Sequence, residues 1–135
     1  MKERTFGMKR LSYFLLAIGL IIVLSACGEE RVDEATAEKY VAKAEEVVLD
    51  LNEANYEAVY EQFNTTMKAG LPVEEMKGLG PVIEASGEFD AFDDSVVEMN
   101  DGYYVVVLVG LYSNDKRVYT ISFNEEGEIG GLYIK

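Results

Sequence analysis

Tyr103–Tyr112, which reads YYVVVLVGLY, is the stretch that decides the fold of this 135-residue chain. Its alternating positions are apolar on both sides, which predicts a central strand with both faces covered. Residues 100–102, Asn-Asp-Gly, precede it and predict a tight hairpin turn. The two sides of the strand are the odd-numbered set Tyr103, Val105, Val107, Val109 and Leu111, and the even-numbered set Tyr104, Val106, Leu108 and Tyr112.

Three further segments around this strand alternate with a period of two. Residues 89–98 lie before the turn, and residues 117–123 and Ile129–Ile134 follow the central strand. Turn-forming residues separate each segment from the next. The pattern predicts a four-stranded antiparallel meander.

The part of the chain before the sheet has helical spacing. Asp33 or Thr36 is placed to cap an amphipathic helix over 37–51, and a third, weaker helical segment bends or breaks at 78–81. Helices followed by an antiparallel meander indicate an α+β fold, with N-terminal helices packed on a curved four-stranded sheet. Between the helix over 37–51 and the third helical segment, a second helix is predicted over 56–70. It would place five apolar or aromatic residues on one face: Tyr56, Val59, Tyr60, Phe63 and Met67.

The first 26 residues have the three parts of a secretory signal peptide. A basic start leads into an apolar run over 11–24, which is shorter than the roughly 20 residues of a transmembrane helix. The run ends in Leu24, Ser25, Ala26 and Cys27. These four residues resemble the lipobox of bacterial lipoproteins.

This resemblance implies that signal peptidase II recognises Leu24, Ser25, Ala26 and Cys27 and cuts before Cys27. The Cys27 thiol would carry the lipid, with palmitate-type acyl chains, and two chains give a stable membrane anchor. We therefore expect a signal peptide at 1–26, a lipidated tether at 27–32 and one domain at 33–135. The domain would lie on the extracytoplasmic face of the cell membrane. In the alternative interpretation, Cys27 is an ordinary buried or reactive thiol.

The composition of the exported part excludes several classes of function. Residues 27–135 keep 8 of the 12 basic and 24 of the 25 acidic residues, a net charge of about −16. Nucleic-acid binding needs lysine and arginine in number, so no nucleic-acid partner is expected. The chain has no histidine, which excludes Ser-His-Asp and Cys-His nucleophile systems and removes the commonest metal ligand. We expect no metal site and no cofactor.

Several short motifs occur in a characteristic order between Ala37 and Tyr133. They are residues 55–57, Phe63 with Met67, residues 87–89, residues 103–107 and residues 123–132. In this order they resemble the DUF3887 family, which is similar to the NTF2-like (cystatin-like) superfamily of cone-shaped domains. The resemblance implies a fold and no activity, because the role of the family is undefined, and it supplies no catalytic residues.

A cone-shaped domain suggests a pocket, and five residues are predicted to line it: Tyr60, Phe63, Tyr104, Leu108 and Tyr119. The first hypothesis is a non-enzymatic module that binds a ligand or a protein. The alternative is a small isomerase or lyase that pairs a carboxylate with a tyrosine hydroxyl. Its acids would come from Asp90, Asp93, Asp94 and Glu98 beside the sheet. We favour the module, because such acids are ordinarily solvated edge charges and the tyrosines core side chains.

The sequence of the central strand also predicts a protein partner. Three successive helical segments cover one face of a four-stranded sheet, which leaves the other face apolar and uncovered. We expect this face to bind a second copy or another protein through either the Tyr103, Val105, Val107 and Val109 set or the Tyr104, Val106 and Leu108 set. In the alternative, the N-terminal segment or the third helical segment of the chain covers it.

Overall fold

A computed structural model describes residues 30–135. One antiparallel sheet contains five strands in the order of the chain, so its four long strands confirm the predicted meander, and Tyr103–Tyr112 is the middle strand. The predicted signal peptide and lipobox lie outside the described residues. The strands are β1 (Glu30–Arg31), β2 (Phe89–Asn100), β3 (Tyr103–Tyr112), β4 (Lys116–Phe123) and β5 (Ile129–Ile134).

The first strand lies within the segment 27–32, for which the sequence predicts a tether. Glu30 pairs with Met99 and Arg31 pairs with Glu98, which adds a short fifth strand at the edge of the sheet. Two residues are too few to show a period of two, so the sequence carries no signal for this pairing. The chain therefore enters the domain beside the end of β2 that leads into the turn before β3.

The predicted hairpin turn joins β2 and β3. Asp101 and Gly102 occupy its two central positions with φ of 49° and 80°. Positive φ at both positions defines a type I′ turn, whose twist matches that of the flanking strands. The hairpin is confirmed.

The first predicted helix is confirmed with Asp33 as its cap, because the Asp33 carboxylate accepts a hydrogen bond from the Thr36 amide at 3.0 Å. The bend predicted at 78–81 is a 3-10 turn, Lys77–Leu79, that leads into a short helix. Nowhere in residues 30–135 is a helix both long and apolar enough to cross a bilayer. The helices are α1 (Glu34–Asn52), α2 (Tyr56–Glu61), α3 (Thr65–Gly70), α4 (Val73–Met76) and α5 (Gly80–Ala85).

The prediction of a single helix over 56–70 is wrong, because this segment forms two helices, α2 and α3. At the break, the Asn64 amide donates to the Ile129 carbonyl at 2.9 Å, and the Ile129 amide donates to the Gln62 carbonyl at 2.8 Å. The backbone on either side of Phe63 therefore bonds to β5 and cannot continue a helix. Phe63 itself is carried into the core, where it is 1% exposed.

We expect Asn64→Ala to lower the free energy of unfolding by about 1 kcal/mol, the usual cost of losing an N-cap side chain. Asn64 Oδ1 accepts a hydrogen bond from the Met67 amide at 2.8 Å, which alanine cannot replace. Asn55→Ala is the matched control, because Asn55 precedes α2 without a side-chain cap bond. Urea unfolding followed by circular dichroism measures both variants. Equal losses would contradict the assignment of the cap.

The sheet has a buried inner face and a half-exposed outer face. On β3 the even-numbered set includes the fully buried Val106 and Leu108, whereas every member of the odd-numbered set is only partly buried. Helix α1 packs on the even-numbered side, where Tyr40 stacks on Tyr104 with ring centroids 4.2 Å apart. The odd-numbered set therefore forms the outer face.

One hydrophobic core lies between the helices and the inner face. Met76 of α4 and Ile83 of α5 belong to it, so the third helical segment packs on the inner side and does not cover the outer face. The prediction that both faces of β3 are covered is therefore wrong for residues 30–135. The buried core residues are Tyr40, Ala44, Val47, Val48, Leu51, Val59, Phe63, Met76, Ile83, Val106, Leu108, Tyr112, Tyr119, Ile121, Phe123 and Ile129.

Candidate functional site

The five residues predicted to line a pocket lie in or against the core. Phe63 and Leu108 are each 1% exposed and Tyr119 is 0% exposed, and all three belong to the core itself. Tyr60 and Tyr104 are partly buried and pack against it. The sequence predicts that these side chains line an open pocket. In the structure they fill the interior of the fold instead.

Aromatic packing accounts for this filled interior. Tyr60 meets Phe63 edge to face with ring centroids 5.8 Å apart, and Tyr40 covers Tyr104 from α1. Aromatic rings bury roughly 150–250 Å² each, so a few of them occupy the volume that a ligand would need.

A buried polar network joins the end of α1 to the sheet. The Tyr112 hydroxyl donates to Asn52 Oδ1 at 2.5 Å and lies 2.5 Å from the Tyr119 hydroxyl. Because Tyr112 has one proton and gives it to Asn52, the Tyr119 hydroxyl is the donor to Tyr112. Burial, followed by this hydrogen bond, raises the pKa of Tyr119, so the phenol stays neutral. The network contains no carboxylate.

The acids that the enzyme hypothesis requires are not brought to these tyrosines. Asp90, Asp93, Asp94 and Glu98 are all exposed on β2, and no aspartate or glutamate described in 31–135 is fully buried. In the same part of the chain, no group of three or more acidic side chains is placed to hold a metal ion. Within residues 31–135, these acids therefore do not place a carboxylate beside the buried tyrosine hydroxyls.

Two surface clefts have volumes of about 300 and 360 Å³, at the small end for ligand sites. The first surrounds the start of α2 at Tyr56 and is bordered by Lys77. The second lies between α1 and β2 and is lined by Val41, Val97 and Glu38 among others. None of the five predicted pocket residues lines either cleft.

The outer face of the sheet carries a continuous row of side chains across four strands. Val96, Val107, Thr120 and Tyr133 are register neighbours on β2, β3, β4 and β5. The two ends of the row are the most exposed, with Val96 at 48% and Tyr133 at 72%. Exposed apolar side chains that lie side by side on one face are typical of interaction surfaces. Further apolar residues of this face are Tyr103, Val105, Val109, Leu111 and Val118.

Charges of opposite sign border this face at one end of the strands. Asp90, Asp93 and Asp94 are exposed near the start of β2, where two irregularities interrupt its register with β3. Lys116 begins β4 opposite the outer-face residue Leu111, and Lys135 bonds through its backbone to Val118. Both lysines are exposed. Acidic side chains therefore lie on the β2 side of the face, and Lys135 follows the opposite edge strand, β5.

The family model described as "Protein of unknown function (DUF3887)" matches residues 44–132. The chain belongs to the DUF3887 family. The predicted membership is confirmed, and the match includes all of β2, β3 and β4.

One solved structure is similar to this DUF3887 chain. It is the NMR structure of a protein from Ruminococcus gnavus ATCC 29149, with a TM-score of 0.63 and 21% sequence identity over 76% of this chain and 90% of that chain. At that identity the likeness shows the fold alone. A comparison with curated proteins gives no match.

Val96 and Tyr133 are candidate site residues that the sequence pattern did not identify. Strict alternation from Phe92, whose register partner is Gly110, would place Val96 on the inner face. One extra residue between Phe92 and Ser95 reverses the alternation and turns Val96 outward. For Tyr133 a signal was available, because its neighbours Leu132 and Ile134 alternate with it and pack against the core.

Proposed function

We propose that this DUF3887 chain is an extracytoplasmic bacterial lipoprotein, anchored in the cell membrane by lipid on Cys27, whose domain binds protein through the outer face of its sheet. The lipobox residues Leu24 to Cys27 support the anchor. The position of β1 supports it as well, because the chain enters the domain only three residues after Cys27.

One observation carries the binding part of the proposal. Core side chains fill the interior between the helices and the sheet, whereas the row from Val96 to Tyr133 exposes its two apolar ends, by 48% and 72%, on the outer face of the sheet. A small ligand needs a concave site, but an exposed apolar sheet face suits another protein. The outer face is therefore proposed as the binding surface.

The alternative of a carboxylate and tyrosine isomerase receives no comparable support. Such an enzyme holds its acid and its tyrosine together in a dry pocket. Here the hydroxyls of the buried residues Tyr112 and Tyr119 bond to each other, and the Tyr112 hydroxyl also bonds to Asn52. We therefore propose a non-enzymatic role.

We also propose that the domain is NTF2-like. Its helices lie on one side of a meander whose register irregularities in β2 and between β4 and β5 favour a curved sheet. An experimental structure of the full chain would test this assignment through the curvature of the sheet. A flat sheet would contradict it.

The binding surface is tested with the full chain in its own membrane. Membranes that contain the wild type, Val107→Lys or Thr66→Lys are cross-linked with formaldehyde and then extracted with mild detergent. We expect the wild type and Thr66→Lys, a control on an exposed position of α3, to migrate as a complex. Val107→Lys should migrate as a single chain, because an unpaired charge at the centre of an interface costs several kcal/mol. Complexes of equal size in all three would contradict the proposal.

A further inference from the structure

We infer that the second cleft, between α1 and β2, binds an extended basic segment of another protein, which adds to β2 as a further strand. This site is separate from the outer face and does not depend on it. In strand addition, main-chain hydrogen bonds supply the affinity, and side chains at alternate positions supply the specificity.

Most of β2 has an open edge. The short strand β1 pairs only with Glu98 and Met99, and the chain then leaves the sheet for α1. Within residues 30–135, β3 is therefore the only strand that pairs with residues 89–97. An edge of this kind presents backbone N–H and C=O groups to which a further strand can bond.

The cleft beside this edge combines apolar and acidic side chains. Its volume is about 360 Å³. Val41 of α1 and Val97 of β2 line it and also pack against the core. Among the described residues that line the cleft, none is a lysine or an arginine. The charged residues that line it are Glu34, Glu38 and Glu45.

A lysine or arginine side chain of a partner suits both parts of this cleft. Its hydrocarbon stem can lie along Val41 and Val97 while its charged end reaches the glutamates of α1. Side chains of a strand point alternately to the two faces of a sheet, so every second residue of the added strand would enter the cleft. The residues between them would lie beside Val96, where apolar side chains are favoured. The expected partner segment therefore alternates basic and apolar residues.

The acids along the same edge disfavour other occupants. Asp90, Asp93 and Asp94 are exposed on β2, so two copies of this chain paired through this edge would bring like charges together. An anionic lipid surface or a nucleic acid meets the same repulsion. Exposed charges also protect a sheet edge from pairing, but protection alone does not require an adjoining cleft with apolar side chains.

The probe for this site is a short synthetic peptide in which lysine and valine alternate, with a fluorophore at one end. Fluorescence anisotropy follows its binding to the full chain in a neutral detergent, and hydrogen exchange reports protection of the amides in residues 89–97. The matched control peptide has N-methylated backbone amides, which keep the charges but cannot donate main-chain hydrogen bonds. Glu38→Lys is compared with Glu46→Lys, which makes the same change of charge at an exposed position of α1 outside the cleft.

We expect saturable binding of the lysine and valine peptide, protection of the β2 amides, and at least tenfold weaker binding of the N-methylated peptide. Glu38→Lys should weaken binding about tenfold, because it places a like charge against the peptide in the cleft. Glu46→Lys should weaken it less than about threefold, because a distant exposed charge is screened by salt.

Three results would overturn the inference. Equal binding of the two peptides would indicate adhesion by charge alone, and equal losses in the two variants would place the peptide outside the cleft. Absence of binding at low ionic strength would show that the acids of β2 only protect the edge. None of these results bears on the outer face, which the cross-linking of Val107→Lys tests separately.

Discussion

Val106→Lys is expected to unfold the domain, whereas Val107→Lys leaves it folded. The two valines are neighbours on β3, but Val106 is 0% exposed in the core and Val107 lies on the outer face. A lysine at position 106 buries an unpaired ammonium at a cost of several kcal/mol, a large part of the about 5–15 kcal/mol that stabilises a domain. A lysine at position 107 can extend its charged end into water in the single chain.

Circular dichroism and urea unfolding of the detergent-solubilised full chain measure this difference. Val106→Lys should lose the cooperative transition, and Val107→Lys should keep it with a midpoint close to that of the wild type. Val106→Leu is the control for a change of volume without charge. If both lysine variants unfold, the assignment of an outer face to β3 is wrong.

Cys27→Ala is expected to move the protein from the membrane to the soluble fraction of its compartment or to leave it as the unprocessed precursor. Cys27 is the only cysteine in the chain, so no other thiol can carry the proposed lipid. Two acyl chains hold a protein stably on a bilayer, and the acidic domain has little attraction of its own for an anionic surface.

Metabolic labelling with radioactive palmitate and membrane fractionation report the two steps separately. The wild type should be labelled and found with the membrane, while Cys27→Ala should be unlabelled. Val107→Lys serves as the control, because it alters the sheet and should still be labelled. A labelled, membrane-bound Cys27→Ala protein would show that the lipobox interpretation is wrong.

Local sequence signals predicted much of the fold. The alternation in Tyr103–Tyr112, the Asp-Gly turn and the helical spacing after Asp33 each act over a few residues, and each is present as predicted. The break at Asn64 was not predicted, because the apolar spacing of 56–70 is helical throughout. The reason for the break lies in Ile129, more than sixty positions away, whose backbone bonds to both sides of Phe63.

The candidate site was less accessible to prediction than the fold. The sequence identified an uncovered face but left both sides of β3 open as candidates, since both are apolar. Tertiary packing resolves the choice, because α1 covers Tyr104 and leaves the Val107 side free. The pocket was predicted from aromatic residues that could either line a cavity or fill one, and composition does not distinguish the two. The outward position of Val96 was not predicted, because it depends on the irregular register of β2, which an alternation pattern does not reveal.

The short strand β1 has a consequence for where the outer face can act. Glu30 is fixed to Met99 at one end of the sheet, and two residues separate it from Cys27, so the connection reaches roughly 10 Å. With the proposed lipid on Cys27, the domain would stay close to the bilayer and would meet a partner held in the same membrane by diffusion in two dimensions. Part of the translational freedom that association normally costs is then already lost, which raises the effective concentration at the surface. A binding surface too weak to hold a partner in solution is then sufficient, and the density of anchored chains controls how many are occupied.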